Sequence, residues 1–387
     1  MIPNIVLYYN RFNQKIESLF NSNLDIAKLS LILFIFFSFL YFPEIIIKRA
    51  NNSWSIQDQS VQHFVNEKIQ HPLQPTLRLD IGEHLSKREL RLTPYIIGKT
   101  FHIEAIKLFY LQSILLFPLF IFLCLKTIYQ VSQDRVIAFW ATLALLFCYP
   151  GHSFTYDTYF FDSYAYIGLI AACYFRNHWS LIPILLATYF VDERSVVPST
   201  SIFILNNLLG PTAKSGGFSA TILRNHTFWK IALAIFLYCI IRFILYFNFE
   251  LNTPIGHGSG IRLLTALRFK LKLPAALFSA LKLNLILIYL AFAQLIKVKN
   301  WILTSAFSII LSIILFVSTA VEDVTRSLAY AFPLLLIYYL FLSQDTTDFK
   351  NKRLFICVIA LINLLLPTYT LLLNLYHIPL FDWVKLF

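Results

Sequence analysis

Residues 104–126, EAIKLFYLQSILLFPLFIFLCLK, decide the fold. The run is apolar and long enough to cross a bilayer, which takes roughly 17–25 residues of helix. Similar runs recur along the chain. The candidate spans are 30–47, 104–126, 136–150, 162–175, 179–191, 195–210, 229–248, 275–296, 301–319, 328–343 and 354–375. Those at 136–150, 162–175, 179–191 and 195–210 are short. They cross only with help from flanking residues or packed inside a bundle, and one pair could be re-entrant. The expectation is an all-α polytopic transmembrane helical bundle of about 10–11 spans.

Composition agrees with this reading. Hydrophobic residues make up 58% of the 387 and charged residues only 13%, against about a quarter in a soluble domain. That leaves too little charge to coat a soluble fold of this size. The formal net charge is +12, which in a soluble protein could suggest nucleic acid. Here most basic residues of the short loops fall on one side, so no nucleic-acid partner is expected. With the N-terminus inside, the inner segments hold Arg11, Lys15, Lys28, Lys126, Arg135, Arg176, Lys214, Arg224, Lys230, Lys297, Lys299, Lys350, Lys352 and Arg353. The short outer segments hold only Arg194, Arg326 and Lys385. This positive-inside bias sets the expected orientation, in a plasma (inner) membrane with a cytoplasmic N-terminus. Trp140, Trp179, Trp229, Trp301 and Trp383 lie near span ends, as in an aromatic belt.

The expected organisation is a cytoplasmic amphipathic segment, 1–29, followed by a single transmembrane domain, 30–387. No cleavable signal peptide is expected. The domain carries a large outer loop, 48–103, and an interfacial segment, 249–274. Cys124, Cys148, Cys173, Cys239 and Cys357 all lie in apolar runs and read as small hydrophobes. No internal repeat is visible.

Acidic residues play little part in setting orientation, yet most fall on the outer side. SFTYDTYFFDSYAY (153–166) carries Asp157 and Asp162 beside aromatic rings suited to a sugar face. FVDERSVVP (190–198) places Asp192, Glu193 and Arg194 between two apolar runs. An ionisable group at membrane depth points to function, and Arg194 can pair within this stretch. In TAVEDVTRSLAYAFP (319–333), Asp323, Arg326 and Tyr330 share a helical face by spacing. There Arg326 is suited to hold a phosphate. LRLDIGEHLSKRELRLTPY (77–95) supplies Asp80, Glu83, His84, Lys87, Arg88, Glu89 and Arg91 from the first loop. Each cluster also has a plain structural reading, as helix caps or solvated charge. His84, His152 and His257 show no metal-binding spacing. No cofactor is expected with certainty, and a divalent metal held by scattered carboxylates stays open.

A multi-span chain with a large first outer loop and outer-facing acids resembles the GT-C superfamily of polyprenyl-phosphate-dependent membrane glycosyltransferases. The resemblance implies a catalytic base in or near the first loop, here Asp80 or Glu83, with Asp192 and Asp323 as further candidates. Loop one lacks the adjacent acidic pair of many members; such a pair occurs at Asp192-Glu193. The implied partners are the lipid bilayer, a polyprenyl-phosphate-linked sugar and a glycan or lipid acceptor. The phosphate would meet Arg194, Arg326 or loop-one cations, with Asp157, Asp162, Glu193, Tyr330, Arg88 and His84 also binding substrate. Rival readings are a surface-polysaccharide polymerase and a transporter or flippase.

Overall fold

The computed structural model describes residues 2–41, 56–75, 88–156, 160–209, 225–251, 267–321, 323–344, 351–369 and 376–377. Several helices start where a short polar side chain can take up the unpaired N–H groups of a first turn. Asp134 accepts from the backbone of Val136 and Ile137 at 2.8 and 3.0 Å. Asn225 accepts from Thr227 and Phe228 at 2.9 and 3.2 Å, and Asn300 from Leu303 at 3.3 Å.

In chain order the helices are α1 (Ile2–Ser18), α2 (Asn23–Tyr41), α3 (Ile56–Gln70), α4 (Leu92–Thr100), α5 (Ala105–Ser132), α6 (Arg135–Leu146), α7 (Tyr149–Tyr156), α8 (Asp162–Tyr174), α9 (Leu181–Tyr189), α10 (Ser201–Leu209), α11 (His226–Phe249), α12 (Leu267–Leu281), α13 (Asn284–Lys297), α14 (Trp301–Ala320), α15 (Val324–Ser343) and α16 (Lys352–Leu365). A two-residue antiparallel pairing, Thr368–Tyr369 with Tyr376–His377, follows α16. The fold is a helical bundle, as expected.

Fewer helices than expected, among the described residues, have the length and hydropathy to cross a membrane. Among the described residues, five helices are long and apolar enough to cross a membrane: α2, α5, α11, α14 and α15. The count rises to seven if two bent pairs are each one span. These are α6 with α7, bent by 63°, and α12 with α13, bent by 80°. The reason is length. At about 1.5 Å per residue, the 13 residues of α8 and the nine of α9 and α10 fall well short of a hydrocarbon core about 30 Å thick. These shorter helices pack within the bundle instead. The first membrane-length helix begins earlier than its hydropathy suggested, since α2 starts at Asn23 and not at residue 30.

The membrane-length helices sort into buried and exposed members. The central one, α15, is buried along its whole apolar stretch. Its middle is a 3-10 turn, Phe332–Leu334, where Phe332 meets the rings of Phe120 and Tyr166 at 6.3 and 6.0 Å. By contrast α11 exposes Phe236, Ile240, Phe243, Ile244 and Phe247, and α14 exposes Ile309, Ile313 and Phe316. Such stripes suit a lipid-facing surface and are costly in water. Cys239 is exposed on α11, while the other four cysteines are buried. Trp179, Trp229 and Trp301 are exposed near helix starts, but Trp140 is buried in α6, bonded to Asn13 and packed on Phe12 of α1.

Part of the first loop folds onto the bundle. The α3 side chain Asn66 accepts from the first N–H of α5 at 2.8 Å. Thr93 at the start of α4 bonds the last carbonyls of α9, to Ala187 at 2.6 Å and to Phe190 at 3.2 Å. Closeness of α8 to α9 depends on Gly168, where a Cβ would lie 2.0 Å from Thr188 Oγ1. These contacts bring the start of α4, the start of α8 and the end of α9 to one place.

Candidate functional site

Asp162 opens α8, and its carboxylate is completely buried. Phe161 just before it has left-handed backbone, φ 61°. That conformation is uncommon for a residue with a Cβ, and such outliers concentrate at functional sites. The Phe161 ring is held by Tyr95 and Tyr164, with centroids 6.1 and 5.5 Å away. The strained turn therefore aims Asp162 inward.

What Asp162 meets is arginine. Arg326 of α15 grips it with one edge of its guanidinium, Nε to Oδ2 at 2.5 Å and Nη2 to Oδ1 at 3.0 Å. Such forked pairs are among the strongest polar contacts in proteins. The Tyr166 hydroxyl donates to the Arg326 carbonyl at 3.1 Å, fixing α15 to α8. Arg194 Nη2 and Arg91 Nη1 approach the same carboxylate at 3.4 and 3.8 Å. The hydroxyls of Tyr330 and Tyr149 lie 3.4 and 3.5 Å from it.

A second carboxylate, Asp192, lies at the turn after α9. Asp192 accepts from Arg194 Nε at 2.8 Å, Arg194 Nη2 at 2.5 Å and the Arg194 backbone at 3.0 Å. Arg91 Nη2 donates to it at 3.2 Å. Burial alone pushes this carboxyl up, but Arg194 and Arg91 together hold it well below the ordinary carboxylate range. The remaining edge of Arg194 donates to Ser327 Oγ at 2.7 Å, and its guanidinium lies over the Tyr330 ring at 5.2 Å.

The rim is where the cluster opens. Arg326 also donates to Asp323 Oδ2 at 2.6 Å. Side-chain exposure is 27% for Asp323 and 15% for both Arg91 and Arg194, against 0% for Asp162 and 4% for Asp192. Asp323 is thus the carboxylate of this cluster that a solute reaches. Phe160 lies between two guanidiniums, with Arg88 4.2 Å and Arg326 4.1 Å from its ring centroid. Its carbonyl accepts from Arg91. Such cation–ring contacts add to the hold on each arginine.

Replacing a buried ion pair by apolar side chains is often neutral or stabilising. A bundle built only for stability has little use for three arginines and two buried aspartates at one point. What the arrangement does chemically is hold several guanidinium faces rigid at a partly open rim. Such faces match phosphate.

The sequence candidates sort clearly. Asp162, Asp192, Arg194, Asp323, Arg326 and Tyr330 converge, and Arg88 stands at the edge on Phe160. Glu193 turns away from the cluster to pair with Arg242 of α11, beside Tyr238. Asp80, Glu83, His84 and Asp157 lie outside the described residues, as does His257. His152 is buried and packs edge-on to Tyr41 at 5.0 Å. Tyr149, Phe160 and Ser327 carry parts of the site that sequence reasoning missed, while Arg91 and Arg242 were not singled out as site residues. Among the described residues no group of three or more His, Cys, Asp or Glu is placed to hold a metal ion.

No protein-family model, curated protein or solved structure matches this chain. The functional reading therefore rests on the site itself.

Proposed function

We propose that this chain is an integral membrane glycosyltransferase. It moves a sugar from a polyprenyl-phosphate carrier to an acceptor on the extracytoplasmic side, in the synthesis of a cell-surface glycan. The observation that carries the reading is the cluster of Arg91, Arg194 and Arg326, locked in place by two buried aspartates. Beside it stands one reachable carboxylate, Asp323, 2.6 Å from Arg326. The roles follow from that division. Asp162 and Asp192 orient arginines and do not act as bases. Asp323 takes the proton of the acceptor hydroxyl. The acceptor oxygen bonds to the sugar's anomeric carbon as the bond from that carbon to the carrier phosphate breaks. The phosphate leaves with the electron pair, and preorganised guanidiniums stabilise the charge as it develops.

Placing the site outside rests on the charge pattern of the short loops. Lipid-linked intermediates from cells lacking the gene test the reading. Accumulation of an unused sugar-loaded carrier, with a glycan short of one sugar type, is expected. Unpolymerised whole repeats would instead indicate a polysaccharide polymerase. An unchanged lipid-linked pool contradicts both.

One observation favours a transporter as a second reading. The breaks between α6 and α7 and between α12 and α13 meet inside the bundle. Asn284 donates to the Ala144 carbonyl at 3.0 Å and lies 3.4 Å from Cys148 Sγ. Buried Lys282 donates to the carbonyls of Asn363 and Leu366 at 2.8 and 2.7 Å. Discontinuous helices that meet in the membrane are a recurrent feature of transporters. Substrate flux in proteoliposomes without any glycan product would favour that reading.

A further inference from the structure

The arginine cluster has a flank that faces sideways. Glu193 lies between Asp192 and Arg194, both members of the cluster, yet its carboxylate reaches outward to Arg242. Arg242 is on α11, in a row of exposed apolar neighbours that includes Ile240, Phe243 and Ile244. It lies about 10 Å in from the helix end at Phe249, at about 1.5 Å per residue. The helix has 24 residues, so it is only slightly longer than a hydrocarbon core of about 30 Å. Arg242 therefore falls inside the apolar thickness.

An ion pair facing lipid at that depth is expensive, and such groups generally mark a pathway or a ligand. Neither partner is sealed off, since the side chains are 26% and 57% exposed. The pair is also anchored. The Arg242 Nη1 donates to the Tyr238 hydroxyl at 3.0 Å, and the Tyr238 ring packs on Tyr189 and Phe190 at 5.5 and 4.9 Å. Those two residues end α9 and lead directly into Asp192. One continuous path thus joins the lipid-facing surface of α11 to the arginine cluster.

We infer that the Glu193–Arg242 pair is a lateral gate that receives a lipid-borne phosphate from the bilayer. The occupant is an amphiphile whose apolar tail lies along the exposed face of α11. Its phosphate displaces Glu193 from Arg242 and then passes to Arg194. Until that exchange, Glu193 neutralises Arg242 and holds the flank closed. The inference rests on the proposed use of a lipid-phosphate carrier, but its failure can be told apart from failure of that reading, because it is read by binding and not by transfer.

The test is equilibrium binding of the full-length protein in nanodiscs of zwitterionic lipid. The probe is a long-chain polyprenyl monophosphate, with the matching polyprenol and inorganic phosphate as separate arms. Wild type is expected to bind the polyprenyl monophosphate at least tenfold more tightly than either control. Arg242→Gln removes a charged contact and should weaken binding about tenfold, and Arg242→Lys should recover part of the loss. Glu193→Gln removes the competing carboxylate from an exposed position and should tighten binding several-fold. Equal binding by wild type, Arg242→Gln and Glu193→Gln would overturn the gate. So would inorganic phosphate binding as tightly as the lipid, or Glu193→Gln weakening it. Loss of sugar transfer with these binding shifts intact would overturn only the enzyme reading.

Discussion

Arg326 and Asp162 form a forked ion pair, 2.5 and 3.0 Å long, across 164 residues of chain, with both side chains buried. Removing the Asp162 charge leaves the Arg326 guanidinium buried with Asp323, at the rim, as its remaining carboxylate in the cluster. Asp162→Asn is therefore expected to destabilise the protein by about 3–5 kcal/mol, the cost typical of a broken buried pair. Thermal unfolding in detergent measures it. The double variant Asp162→Asn/Arg326→Gln should lose much less than the sum of the two single changes, because both charges are then gone. Additive losses would mean that the pair is not coupled.

Gly168 sets how closely α8 and α9 approach. Gly168→Ala brings a methyl to 2.0 Å from Thr188 Oγ1 and 3.0 Å from its Cβ. Overpacking of this kind costs about 1–3 kcal/mol, against a gain of about 1 kcal/mol in helix propensity. A net loss of stability is expected, with Thr188→Ala restoring most of it. The same pair of variants, followed by carrier binding, checks whether the helix spacing also sets the distance between Asp162 and Asp192.

The pH dependence follows from Asp192, which lies in a turn outside the membrane-length helices. Its folded carboxyl is held well below the usual range, since Arg194 and Arg91 outweigh burial. In the unfolded chain the same group titrates near about 3.9. The unfolded state thus takes up its proton first as pH falls, and the stabilising contribution is complete above that value. Stability is expected to stay level from pH 8 to about 5 as far as this group is concerned. It should drop below about 4. In Asp192→Asn the part of the drop due to this carboxyl should vanish. An unchanged acid profile in that variant would show that Arg194 and Arg91 do not hold the carboxylate in solution.

The helical bundle was legible because apolar runs and their charge-poor composition are local properties. The number of helices long enough to cross a membrane was not. Hydropathy cannot tell a nine-residue helix packed inside a bundle, such as α9, from the middle of a span. Nor does it show that Lys282 and Cys148 lie at breaks. Parts of the site were legible where partners are near in sequence. The three-residue spacing of Asp323 and Arg326 and the two-residue spacing of Asp192 and Arg194 both became real contacts. Arg91 stood as one charge among several in the 77–95 stretch, because nothing local separates it from its neighbours. Its meaning comes from Asp192, 101 residues away. Glu193 was grouped with Asp192 by adjacency, but one position around a tight turn sends it to the opposite side of the wall.

The most direct measurement is sugar transfer by purified protein in nanodiscs, from a radiolabelled polyprenyl-phosphate sugar to a cell-envelope acceptor fraction, with Asp323→Asn beside wild type. Removing a general base typically costs about 100- to 10,000-fold. Asp323→Asn is therefore predicted to lose transfer by at least about 100-fold while still binding the polyprenyl monophosphate as wild type does. Transfer by Asp323→Asn at the wild-type rate would contradict the account.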